Sequence, residues 1–314
     1  MTLGEGERRA ANDDDQGGSL PPVVPEGGKA PVQENMSALP GTIGVVGLGL
    51  MGGSLAMAIR RVARAVRLLA VELRADVRER ALREQVVDVA LPVPDGALSA
   101  CQLVVLCTPV AAIEGLLASV AALLPDGAIL TDVGGAKERV VALARERVRP
   151  GVAFVGAHPM FGGQGGYGGA SADKWLGGTV AVCTDAPGEA VNRVAELHAA
   201  LGARVERCSA AEHDAAVAMV SHLPYLVASA LARAAREAGP LAMSLAGPGL
   251  RDMTRLAAFP FDIQGEVARR NAHLPEAAAR LERHLKGILA AIADSPAAAR
   301  SALEAARAAR EELF

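Results

Sequence analysis

The chain has 314 residues, 51% hydrophobic, 21% charged and only 3% aromatic, with a net charge of −3. That length suits two domains rather than a single core. The lack of a basic cluster and the scarcity of aromatic rings exclude a nucleic-acid surface and point to a small-molecule partner.

Residues 1–39 are rich in Gly, Pro and acidic groups and carry no apolar period. They cannot bury enough surface to offset the entropy of ordering, so they read as a disordered tail. Without an apolar stretch behind the charges, no signal peptide is expected. Order is expected from Thr42. Apolar runs of strand length at 43–46, 68–71, 103–106, 128–131, 153–155 and 179–182 alternate with helical pattern, the first helix covering 54–62. Strands alternating with helices imply right-handed crossovers, and near-continuous hydrophobicity implies strands covered on both faces. The longest apolar stretch, 103–130, holds Pro109, Glu114 and Pro125-Asp126-Gly127 and therefore reads as strand, helix, turn and strand rather than a membrane span. Cys101, Cys107, Cys183 and Cys208 form no CxxC pair and no metal-ligand spacing with histidine, and read as buried thiols of a cytoplasmic protein. After Cys208 the strand signal stops. Helical spacing runs through 210–238 and onward to a closing helix at 297–314, with no appended regulatory module expected. The expected fold is thus α/β: a Rossmann-type doubly wound parallel sheet over 40–208, then an all-α domain over 209–314, with the active site in the cleft between them.

Gly47-Leu48-Gly49-Leu50-Met51-Gly52 follows the first strand and opens the first helix. Gly47 would make the tight turn, Gly49 would let the backbone approach a pyrophosphate, and Gly52 would let the helix pack closely. Leu50 and Met51 stand between these glycines, ahead of a helix N-terminus whose free N–H groups suit an anion. Glu72 ends the second strand, where a carboxylate meets ribose hydroxyls and repels a 2′-phosphate, so NAD is expected rather than NADP; Arg74 is the residue that could reverse this. Thr108 and Pro109 end a buried strand at the sheet's carboxyl edge, and Asp132 ends another. Asp132 is either a ligand-side residue or the cap of a helix starting near Lys137.

His158, at a strand end before a Gly-rich loop, is either a satisfied core imidazole or a proton acceptor over the cleft. His222 precedes Pro224 in a long helix, where a kink could aim it into the cleft or leave it on the surface. Arg251 and Arg255 lie four apart, a spacing that puts two guanidinium groups on one helical face, available to a carboxylate or to Asp252.

In order and interval, GLGLMGGS, CTPV, TDVGGAK, GAHPMFG, SHLP and GLRDMTR resemble the prephenate/arogenate dehydrogenase family of tyrosine biosynthesis, from about residue 42 to 265. The resemblance implies NAD-dependent oxidative decarboxylation of a cyclohexadienyl substrate and a homodimer built through the helical domain. It makes His158 the catalytic histidine. It makes Arg255 the grip on a substrate carboxylate, braced by Asp252, and places His222 at the substrate. Three positions depart from the family pattern. Gly135 stands where Ser is frequent, Tyr225 where a second histidine is frequent, and Gln164 where Glu is frequent. Gln164 and Tyr225 offer no negative charge to an ammonium, which favours prephenate over arogenate; Glu212 and Asp214 are the carboxylates that could supply one. Arogenate, 4-amino-4-deoxyprephenate and a non-catalytic NAD sensor are the competing readings.

Overall fold

In the computed structural model, residues 39–163 and 165–314 are described; the tail expected at 1–39, all but its last residue, and Gln164 lie outside them. Five crossovers build the first sheet. Its strands are β1 (Thr42–Val46), β2 (Arg67–Val71), β3 (Val89–Leu91), β4 (Leu103–Leu106), β5 (Ile129–Asp132) and β6 (Ala153–Val155). Between them lie helices α1 (Leu50–Val62), α2 (Ala75–Arg83), α3 (Val110–Ala121) and α4 (Glu138–Arg147). All pairings are parallel in the order β3-β2-β1-β4-β5-β6. Strand side chains alternate between two cores. Ile43, Val45, Leu68, Ala70, Leu103 and Val105 pack on one face, whereas Val46, Leu69, Val71, Val104 and Leu106 pack on the other. That double burial is why these strands read as unbroken apolar runs.

The expected strand at 179–182 does form, but in a separate sheet. There β7 (Ala157–Pro159) pairs antiparallel with β8 (Thr179–Cys183), and β8 pairs parallel with β9 (Arg204–Cys208), linked by α5 (Gly188–Ala200). Gly156, between β6 and β7, has Lys137, Cys183 and Val141 within 3.2–3.3 Å of where a Cβ would sit, so a side chain at the point where the chain passes from one sheet to the other would have to displace them.

Past Cys208 the chain is helical. The helices are α6 (Ala210–Val217), α7 (Leu223–Glu237), α8 (Pro240–Ser244), α9 (Pro248–Thr254), α10 (Glu266–Arg270), α11 (Leu274–Asp294) and α12 (Pro296–Leu313). The Ser209 hydroxyl accepts the Glu212 amide and the Glu212 carboxylate accepts the Ser209 amide, a reciprocal cap on α6 that marks the boundary between sheet and helix. The kink expected at Pro224 is a single π turn, Ala218–His222, preceding the proline. By length and composition the stretch Ala210–Glu237 could cross a membrane. Within it Asp214 is wholly buried, holding the Lys137 and Glu138 amides, and His213 and His222 are nearly so.

Candidate active site

The cofactor end begins where the strand order reverses, between β1 and β4, the position at which such sheets bind ligands. Gly47 adopts a φ of +93°, and a Cβ there would meet Thr108 at 2.9 Å and the Cys107 carbonyl at 3.0 Å. A Cβ on Gly52 would lie 1.8 Å from the Gly47 carbonyl oxygen. Gly49, by contrast, has open space above it. It caps α1 with no side-chain hydrogen bond and no acidic residue in the first turn, so the helix N-terminus is free for an anion. The Thr108 hydroxyl nearby is buried without a partner. These are the features a dinucleotide pyrophosphate requires.

Glu72 accepts the Leu48 amide at 2.8 Å and the Arg74 amide at 3.0 Å. Arg74, the possible phosphate greeter, directs Nε to the same carboxylate at 3.5 Å. Arg78 donates to the Glu72 and Leu73 carbonyls, both at 2.7 Å. Both arginines near the second strand are therefore engaged with the backbone or carboxylate of that turn.

A continuous polar chain starts at His158, the middle residue of β7. His158 Nδ1 lies 2.9 Å from His213 Nε2, and His213 Nδ1 lies 2.7 Å from Asp214 Oδ1. Asp214 accepts the Lys137 amide at 2.8 Å and the Glu138 amide at 3.0 Å. Its side chain, reaching across from α6, thus caps α4. The expectation that Asp132 caps that helix fails, because Asp132 is spent on the Gly134 amide at 2.9 Å, the Ala157 amide at 3.1 Å and the Lys137 ammonium. Lys137 is fully buried, ion-paired with Asp132 and donating to the Ala157 carbonyl at 3.0 Å, so it clamps the ends of β5 and β7 beside His158.

Burial, with the neighbouring His213, Lys137 and His222, holds the His158 pKa well below the usual histidine value, so the ring is neutral near pH 7. A Cβ on Gly135 would come within 3.5 Å of its Nε2 and within 3.0 Å of Val267 from α10. His222 is buried rather than on the surface. Its Nδ1 accepts from Asn271 at 3.0 Å, and Asn271 also donates to the Asp214 carbonyl at 2.7 Å. Burial lowers the His222 pKa to about 4 against the opposing pull of Asp214.

Other expected residues stand apart. Asp214 and Glu212 cannot swing toward a substrate ammonium, since the first is buried in the polar chain and the second is held in its capping box. Arg255 opens a 3-10 turn just after α9 and is exposed, as are Arg251 and Asp252. No ion pair links Arg255 to Asp252 among the described residues, so the bracing contact is not made. Tyr225 lines a small cavity of about 150 Å³ with Leu256, Phe259 and Gln264. His213, Lys137 and Asn271 are neighbours of this polar chain that sequence reasoning did not assign, and Asp214, expected only as a carboxylate for an ammonium, belongs to the chain instead. The adjacent His-Asp pair just inside a capping box was the one available signal; Asn271 carried none.

A dinucleotide cradle at the switch point, beside a neutral imidazole at the base of a helical domain, defines a two-domain protein of the dinucleotide-binding class. Family comparison narrows this. Residues 55–207 match the nucleotide-binding domain of prephenate dehydrogenase, and residues 209–301 match its dimerization domain. The chain belongs to the prephenate dehydrogenase family. It is 29% identical over 234 residues to prephenate dehydrogenase of Bacillus subtilis, covering 71% of this chain and 62% of the relative. It is 31% identical over 218 residues to the Lactococcus lactis enzyme of the same name, covering 68% of this chain and 60% of that one. The chain therefore spans less than two thirds of these relatives' length. Arogenate dehydrogenase of Synechocystis superposes with a TM-score of 0.76 at 29% identity, covering 87% of this chain and all of the other.

Proposed function

We propose that the protein catalyses NAD-dependent oxidative decarboxylation of prephenate to 4-hydroxyphenylpyruvate, as a homodimer. The observation that carries this reading is His158. It is a neutral imidazole anchored through Nδ1, and its Nε2 makes no hydrogen bond among the described residues. NAD held over Gly47, Gly49 and Gly52, with Glu72 toward the adenosine ribose, supplies the hydride acceptor. His158 Nε2 takes the C4 hydroxyl proton and returns it to the same oxygen once CO₂ has left and the ring is aromatic, so no net proton leaves the site. Arg255, exposed and free of ion pairs among the described residues, is the cation assigned to a substrate carboxylate. Tyr225 is the hydroxyl assigned to the pyruvyl tail, and His222, the other residue assigned to the substrate, is held by Asn271. The sequence places a neutral Gln164 in the loop after His158, which favours the keto acid over arogenate.

The dimer is supported by the dimerization-domain match and by α11. Leu281, Leu285, Leu289 and Ile292 make one stripe on that helix and are 37–57% exposed, more apolar surface in a row than a monomer ordinarily shows to water. The deciding assay monitors NADH formation with prephenate, arogenate and 4-amino-4-deoxyprephenate side by side. Turnover with prephenate at the highest kcat/KM is expected. NAD binding without turnover of any of the three overturns the reading in favour of a sensor, and preference for either amine overturns the substrate assignment.

A further inference from the structure

We propose that His213 and Asp214 are positioning residues that fix His158 in the tautomer with a free Nε2 and hold its acquired proton during the reaction. The inference rests on the role proposed for His158 and adds two residues that the resemblance does not assign.

The donors and acceptors along the buried chain fix each tautomer in turn. Two amides, from Lys137 and Glu138, point at the Asp214 carboxylate, and it also accepts from His213. With these donors its pKa stays lowered despite burial, so the group is an anion that can only accept. His213 Nδ1 must then carry its hydrogen. In neutral His213 this leaves Nε2 as an acceptor, and its one hydrogen-bond partner among the described residues is His158 Nδ1 at 2.9 Å. His158 therefore donates from Nδ1, and its Nε2 holds a lone pair.

The same geometry determines the fate of an acquired proton. A proton gained at Nε2 makes His158 an imidazolium, whose Nδ1 proton can pass to His213 Nε2. The positive charge then sits on His213 beside the Asp214 anion, and His158 is neutral again with hydrogen on Nε2. Reversal of the two transfers gives the proton back. No atom leaves the chain and no outside acid is needed.

Every charged or titratable neighbour fits such a relay. Lys137 faces His158 from the loop before α4, but its charge is matched by Asp132 of β5. His222, from the π turn, is neutral at pH 7 because its pKa is near 4. Cys183 of β8, near Lys137, is raised to about 12 and stays a thiol. From α10 the neighbour is apolar Val267. Asp214 is the one anion of this group not matched by a lysine or arginine among the described residues, and its charge favours the protonated pair.

Two measurements test the relay. The first is imidazole ¹⁵N NMR on the resting full-length protein at pH 7, which needs no substrate. The expected His158 spectrum has a protonated Nδ1 and a bare Nε2, and a protonated Nε2 in the resting protein overturns the proposal whatever the activity. The second is kinetic. His213→Leu should lower kcat by roughly 10²–10⁴ with KM and NAD affinity little changed. His213→Gln should recover about tenfold of that loss, because its amide oxygen can accept from His158 Nδ1 but cannot take the proton. Asp214→Asn should move the acidic limb of the kcat–pH profile to lower pH, since losing the anion weakens the base. If Asp214→Asn does not fold, the His213 pair decides alone. His213→Leu with near wild-type kcat, or a loss appearing only in KM, overturns the relay. A wild-type enzyme inactive on all three substrates sinks the proposed function instead, and the NMR result then stands by itself.

Discussion

The Glu72 carboxylate accepts the Leu48 amide at 2.8 Å, so the residue just after β2 also braces the glycine-rich turn after β1. Two roles meet in one side chain, and substitution can separate them. Glu72→Gln keeps an oxygen for the Leu48 amide but removes the charge that repels a 2′-phosphate. Discrimination in kcat/KM between NAD and NADP should fall roughly tenfold, as expected for one charge pair near a protein surface. Thermal stability should be unchanged. Glu72→Ala should lose both the discrimination and part of the NAD affinity. Equal kcat/KM for NAD and NADP in the wild type would refute the assignment.

The two inner glycines of the turn make opposite predictions. Alanine at Gly52 drives a methyl into the Gly47 carbonyl, which lies 1.8 Å from the Cβ position. That should cost about 1–3 kcal/mol of stability, along with cofactor binding. Alanine at Gly49 meets nothing within 4 Å in the free protein. Its melting temperature should hold while NAD affinity collapses, because the open space is where pyrophosphate approaches the backbone. Melting curves with and without NAD distinguish the cases, and a Gly49→Ala protein that NAD stabilises like wild type would remove the turn from the site.

The two domains are tied by charge as well as by packing. Arg270 of α10 donates to Glu114 of α3 at 2.8 Å and also pairs with Glu266; Arg139 meets Glu114 at 3.1 Å. Glu114 and Arg270 are only 11% and 8% exposed at their side chains. Arg270→Met should cost roughly 1–3 kcal/mol, less than a fully buried break because Arg139 remains to pair the carboxylate. Glu114→Gln on top of it should restore part of the loss. Urea unfolding of the two singles and the double forms the test cycle. A single variant as stable as wild type means that the junction does not depend on this pair.

Much of this architecture was legible in the sequence because local chemistry decides it. A strand ending at Val46, a glycine turn leading into a helix and a carboxylate just after β2 each follow from turn sterics and burial, which act over a few residues, although the helix opens at Leu50 rather than at the expected Ser54. The second sheet was not legible. Whether 179–182 joins the first sheet depends on its pairing with residues 157–159, such as Val182 with Ala157, a contact distant in sequence. The same holds for the site. His158 stood out by its place at a strand end, but its partner His213 lies 55 residues away and Asp214 acts on α4 from α6. Asp132 shows the converse: its position suggested a helix cap, and long-range demand from Lys137 and Ala157 claimed it instead.

Two buried histidines should make the fold acid-sensitive in a defined window. His198 accepts the Trp175 indole N–H at 3.0 Å through Nδ1, and His222 accepts from Asn271 through Nδ1. In both, Nε2 is buried with no partner. A proton on either Nδ1 would abolish its hydrogen bond and bury a charge, and burial accordingly lowers both pKa values to about 4. The unfolded chain binds those protons near pH 6.5, so between about 6.5 and 4 it holds more protons than the native state. Stability is therefore full above the unfolded value and falls as pH drops through the window, by up to about 3 kcal/mol per histidine, before levelling near the folded values. Urea midpoints measured from pH 7.5 to 4.5 should decline steadily. His198→Gln offers Trp175 an amide oxygen with nothing to titrate, so its decline should be shallower by about one proton, close to 1.4 kcal/mol per pH unit in mid-window. A wild-type profile that is flat across the window, or a variant with the wild-type slope, would show that His198 is not the group whose protonation opens the fold.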